Sequence, residues 1–120
     1  IRWADRMSEL SKAARKAIRD AATLAYEREL THALGDLAKT FEEWKNGDVN
    51  AFDVSDAIHE FHQGVAPELF KQYEAGSTSV PDFGVAGAVI DGFIKLEEIA
   101  PAGREHIARV VEAMSDMRSR

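Results

Sequence analysis

Trp3, Met7, Leu10, Ala14, Ala17, Ala21 and Leu24 recur at alternating intervals of four and three residues, the spacing that lines up side chains on one face of an α-helix. Leu30, Leu34, Leu37, Phe41 and Trp44 repeat that spacing out of phase with the first set. At 100° per residue the two stripes point roughly 170° apart on a continuous helix, with the changeover between Tyr26 and Leu30. No proline and only one glycine, Gly35, interrupt Trp3 to Lys45, and Ala, Leu, Glu, Lys and Arg dominate. The pattern predicts one helix over about 4–46, closed by Asn46-Gly47-Asp48, where glycine supplies the left-handed terminal residue.

Neither stripe can be left in water without cost, so either the helix breaks or both faces are covered. A helix of about 40 residues would be about 60 Å long, well beyond the diameter of a compact domain of this size. The weak points Thr31-His32 and Gly35-Asp36 are not strong breakers, which favours the unbroken helix. The expectation is then a homodimer with Trp3, Met7, Leu10 and Leu24 at its interface.

A second helix is expected at about 53–63, opened by Asn50 or Asp53, with Val54, Ile58 and Phe61 on its apolar side. Pro67 and Glu68 open or continue a third at about 67–75, ahead of the loop-like Gly76-Ser77-Thr78-Ser79. Pro81 and Asp82 begin a central helix of about 81–98, whose apolar residues cover more than half of its circumference. On its remaining surface Gly84, Ala88 and Gly92 stand four residues apart, which would let another backbone approach. Asp91 reads as an i, i+4 partner of Lys95. After Pro101 a last helix of about 102–117 carries the stripe Ile107, Val110, Val111, Met114 and Met117. With no strand pattern or internal repeat, the fold class is all-α: a four- to five-helix bundle with a long N-terminal helix, forming one domain over residues 1–120.

Composition changes this picture mainly by exclusion. The chain has 120 residues, 45% of them hydrophobic and 30% charged, as in ordinary globular domains. Without cysteine, a disulfide scaffold, a thiolate nucleophile and sulfur-ligated zinc are all excluded. No apolar run approaches the roughly 18 residues that span a bilayer, and no charged-then-apolar leader opens the chain, so no membrane partner and a cytoplasmic address are expected. A start at Ile1 rather than methionine suggests a trimmed chain.

The net charge of −6 is unevenly placed: residues 29–103 hold fourteen acidic and four basic groups, whereas residues 1–28 hold four acidic and seven basic. An acidic middle repels phosphate, which disfavours nucleic acid as a general partner. Only Lys12, Arg15, Lys16 and Arg19, a basic stripe opposite the first apolar set, escape that argument. They could meet an anionic partner, and a nucleic-acid-linked regulator is one reading of them. A solvated back face is the simpler one.

Glu29-x-x-His32 and Asp56-x-x-His59, followed by His62, place carboxylate and imidazole groups one helical turn apart, the way helical bundles present ligands to a divalent metal. Phase argues against them, because His32, Asp56 and His59 lie away from the neighbouring apolar stripes, while ligands of a buried site should point inward. Ile58-His59-Glu60-Phe61-His62 lacks the four-residue histidine spacing of zincins. No serine stands on a glycine-flanked elbow and no glycine-rich phosphate loop occurs, so no catalytic residue is assigned. The leading expectation is an acidic, non-enzymatic protein-interaction domain that needs no cofactor; a metal-binding bundle is the alternative.

Overall fold

The computed structural model describes residues 10–74 and 80–119. Among them there is no strand, and the chain is an all-α bundle built on one long helix. This helix, α1 (Lys12–Lys45), is followed by α2 (Ala51–Glu60), a π-helical segment (Phe61–Val65), α3 (Ala66–Gln72), α4 (Asp82–Ile90), a 3-10 turn (Leu96–Glu98) and α5 (Pro101–Arg118).

Helix α1 is unbroken through Thr31-His32 and Gly35, about 51 Å long at 1.5 Å per residue. It starts later than the apolar stripe implied: Ser11 caps it, accepting a hydrogen bond from the Ala14 amide (3.0 Å), and satisfying one of the first-turn donors. Its other end is the expected one, with Gly47 at φ 83° just beyond the Asn46 cap.

Among the described residues one chain covers most of the long helix's two contrary faces, leaving Leu34 and Trp44 of the second stripe exposed. Along its first half Ala14, Ala17, Ile18, Ala21, Ala22 and Ala25 are buried, and this half packs on α4 and α5. Along its second half Leu30, Ala33, Leu37 and Phe41 are half-buried, beside an arm made of α2, the π segment and α3. The phase reversal therefore records two sets of helices from one chain, one serving each half. The result is elongated, 59 × 30 × 26 Å, with a radius of gyration of 17.6 Å against about 14 Å for a compact domain of this length.

Two expected boundaries are corrected. The helices anticipated at about 53–63 and 67–75 are one continuous helical arm, opened by a reciprocal cap between Asn50 and Asp53 (2.9 Å in each direction). Pro67 lacks an amide hydrogen and would press on the carbonyl four residues earlier. The wider i→i+5 turns of Phe61–Val65 precede it, so the helix runs on without a break at Gly64. The central helix stops at Ile90 rather than near 98 because Gly92, at φ 86°, terminates it, with the Phe93 amide bonded to the Ala88 carbonyl (2.9 Å). Beyond that turn Ile94 and Ile99 fold back into the core beside Ile18, Val85, Ile107 and Val110. Asp91 consequently pairs with Arg118 (3.3 Å) rather than with Lys95.

Small residues set the close crossings. A Cβ at Gly103 would stand 3.0 Å from the Ala17 Cβ and 3.2 Å from the Ala14 carbonyl oxygen, so α5 meets the alanine face of α1 nearly backbone to backbone. At Gly84 a Cβ would overlap the Gln72 carbonyl oxygen. This is the close approach anticipated for that residue, but Gly92 serves the turn instead.

Candidate functional site

Between the second half of α1 and the arm lies an open groove of about 440 Å³, within the size range of ligand sites. One wall is a stripe of α1, namely Glu29, His32, Ala33, Asp36, Leu37 and Thr40, residues that the helical repeat puts on one side. The other is Ala57, Glu60, Phe61, Val65 and Leu69 of the arm, and Phe93 closes one end. The floor is apolar, and the charged groups around it are the carboxylates of Glu29, Asp36 and Glu60.

Burial at the inner end is tied to polar pairing. Glu29 is only 7% exposed, and Gln72 Nε2 donates to its two oxygens (3.2 and 3.4 Å). Tyr73 stacks on Tyr26 with ring centroids 5.5 Å apart, and its hydroxyl is buried with no hydrogen-bond partner among the described residues. Burial, with the Glu29 carboxylate nearby, pushes the Tyr73 phenol well above its ordinary range. The His32 ring meets Phe93 edge-on at 5.9 Å between centroids.

Phe93 is held in place by a latch. Arg28 donates from Nη1 to the Phe93 carbonyl (2.9 Å) and grips Glu98 with two parallel bonds of 2.8 and 2.6 Å. Arg104 ties down the same loop through the carbonyls of Leu96, Glu97 and Ile99. Hydrogen bonding from Arg28 lowers the Glu98 carboxyl from 4.5 to about 2, and the same pairing raises Arg28. A carboxyl depressed on folding stabilises the protein above its unfolded value and loses that contribution as pH falls toward its folded value. In urea titrations across pH, the advantage of the unaltered chain over Glu98→Gln should be constant above about pH 5 and gone near pH 2. A pH-independent difference would show that the latch is not an ion pair.

No protein-family model, curated protein or solved structure matches this chain. Its site is therefore read from its own residues.

Of the five metal-ligand candidates, Glu29 and His32 share the groove, whereas Asp56, His59 and His62 are exposed on the arm and do not line it. Among the described residues no group of three or more His, Asp or Glu side chains is placed to hold a metal ion. Trp3 and Met7 lie outside the described residues; Leu10 and Leu24 pack half-buried against the chain's own core. In the basic stripe Lys12, Lys16 and Arg19 are exposed and Arg15 half-buried, and Lys16 is paired with Asp20 at 2.8 Å.

Two features escaped the sequence. One is the groove, whose walls, within 29–40 and 57–69, come from positions 17 to 40 residues apart. The other is Asp82, 1% exposed at the start of α4, whose Oδ2 accepts from His106 Nε2–H of α5 (3.0 Å) while Oδ1 accepts from the Phe83 amide (3.0 Å). Nothing in local spacing joins an aspartate to a histidine 24 residues on.

Proposed function

We propose that this chain is a non-enzymatic protein-interaction domain of the cytosol that pairs with a second copy of itself through the arm and the second half of α1. One observation carries the reading. Of the eight large apolar side chains exposed among the described residues, six fall between residues 34 and 70: Leu34, Trp44, Phe52, Ile58, Val65 and Phe70. Exposed apolar side chains that gather on one lobe mark contact surfaces, whereas scattered ones are ordinary. The proposed interface thus moves to the far lobe, since the described part of the first apolar stripe, Leu10 to Leu24, packs against the chain's own core. Membrane insertion gains no support, since no helix of the described residues is long and apolar enough to cross a bilayer. A chain without cysteine draws no stability from an oxidising compartment, in keeping with the cytosolic setting.

Ile58 and Phe70 each follow a groove-lining residue, Ala57 and Leu69, and so sit about 100° around the helix from the groove. With Leu34, which likewise follows the groove-lining Ala33, they form the pairing flank. A stable pair requires about 1,200–2,000 Å² of buried surface. Light scattering should find a dimer at micromolar concentration, and Leu34→Glu with Ile58→Glu should return a monomer of unchanged helicity. A monomer for the unaltered chain at about 100 µM overturns the pairing.

A further inference from the structure

We infer that the groove between α1 and the arm takes a cationic amphipathic helix from a partner protein. The inference rests on the reading of the chain as an interaction domain and concerns the groove beside the pairing flank; of the six exposed apolar residues Val65 lines this groove, whereas Leu34, Ile58 and Phe70 form the flank. Shape is the first argument. The α1 wall runs from Glu29 to Thr40, about 16 Å or three helical turns. Leu37, Phe61, Val65 and Leu69 offer it an apolar floor. A helix docks in such a groove through apolar anchors at i, i+3 or i+4, and i+7, which recur over that length.

Charge selects the occupant. Glu29, Asp36 and Glu60 contribute carboxylates to the lining, and no lysine or arginine does. Residues 27–74 around it carry eleven carboxylates and four basic groups. Arg28, Lys45 and Lys71 of those four are paired with Glu98, Glu42 and Glu68 of this chain. An apolar helix flanked by lysine or arginine gains from this field and an acidic one is repelled, which supplies both attraction and discrimination. Nucleic acid and anionic membrane are repelled for the same reason. A second copy is a poor occupant, because its basic stripe Lys12, Arg15, Lys16 and Arg19 lacks anchors: the apolar residues beside it, Ala14, Ala17, Ile18 and Ala21, are buried in that copy's own core.

The test is fluorescence anisotropy on the full chain. The probe is a labelled helical peptide of about four turns, with leucines at the anchor positions and lysines elsewhere. Its control is the same peptide with every lysine changed to glutamate. The lysine peptide should bind with micromolar affinity and the glutamate peptide at least about tenfold more weakly. Asp36→Lys with Glu60→Lys, both on exposed positions, should reverse that preference. Val65→Glu, also at an exposed position, should abolish binding of the lysine peptide while circular dichroism shows helicity retained. Equal binding of the two peptides, no binding of either, or lysine-peptide binding indifferent to these variants overturns the inference. Light scattering on the same samples separates this outcome from the pairing reading. A dimer that ignores both peptides sinks the groove inference alone, and a monomer that binds the lysine peptide sinks the pairing alone. A lysine peptide that binds only by dissociating the dimer overturns the assignment of two separate surfaces.

Discussion

Replacing Gly84 with alanine should cost about 2–3 kcal/mol and lower the melting temperature by about 10 °C. In an exposed helix interior the same change is favourable by about 0.5–1 kcal/mol, because alanine loses less backbone entropy than glycine. Here the added methyl would overlap the Gln72 carbonyl oxygen and stand 3.2 Å from the Tyr73 ring. The obstacle is backbone, so relief requires moving α4 away from the end of α3 and disturbing the Glu29–Gln72–Tyr73 corner at the inner end of the groove. Gly35→Ala is the control. Gly35 lies inside α1 with nothing within 4 Å of an added Cβ, and its replacement should raise stability by about 0.5–1 kcal/mol. Urea midpoints of the two variants should thus move in opposite directions; equal shifts would show that the α3–α4 contact yields freely.

Removing the His106 side chain with His106→Ala should destabilise by about 2–4 kcal/mol, since the nearly inaccessible Asp82 carboxylate loses the ring that donates to Oδ2. The Phe83 amide still donates to Oδ1 and the positive end of the α4 dipole still favours the charge, which keeps the loss below that of an isolated buried ion. The signature is non-additivity. Asp82→Ala combined with His106→Ala should cost less than the two single changes together by about 1–3 kcal/mol, because the double variant leaves no orphaned charge. Additivity within about 0.5 kcal/mol would show that the two residues act independently. This pair ties the start of α4 to α5, and through α4 it fixes the core against which the first half of α1 is packed.

Much of the scaffold was legible along the chain. The threefold and fourfold spacing of apolar residues marked α1 and α5, Asn46-Gly47 marked the end of α1, and the reversal of phase near residue 28 marked where one set of covering helices hands over to another. These signals are local, arising from side-chain direction and backbone preference within one element. The central helix was overextended because Phe93, Ile94 and Leu96 continue an apolar run; that run serves the core equally well after a turn, and Gly92 at φ 86° makes the turn. The break expected before Pro67 did not form because π-helical turns precede the ring.

The site was less legible. Glu29 and His32 were singled out for their spacing, and they do share the groove, but their three supposed co-ligands do not line it. The groove itself, the Arg28–Glu98 latch and the Asp82–His106 pair join residues far apart in sequence.

Period and propensity, which act over one or two helical turns, settled by themselves that this chain is helical, where its long helix ends and that this helix presents two opposed apolar faces. Which face each remaining helix covers depends on how far the connecting segments reach and on where glycine lets backbones touch. Only the folded chain decided that α4 and α5 serve one half while the arm serves the other. An arm that lies beside the second half of α1 without closing on it leaves a groove between the two, and acidic side chains chosen one by one along the sequence become a single field only when they meet there.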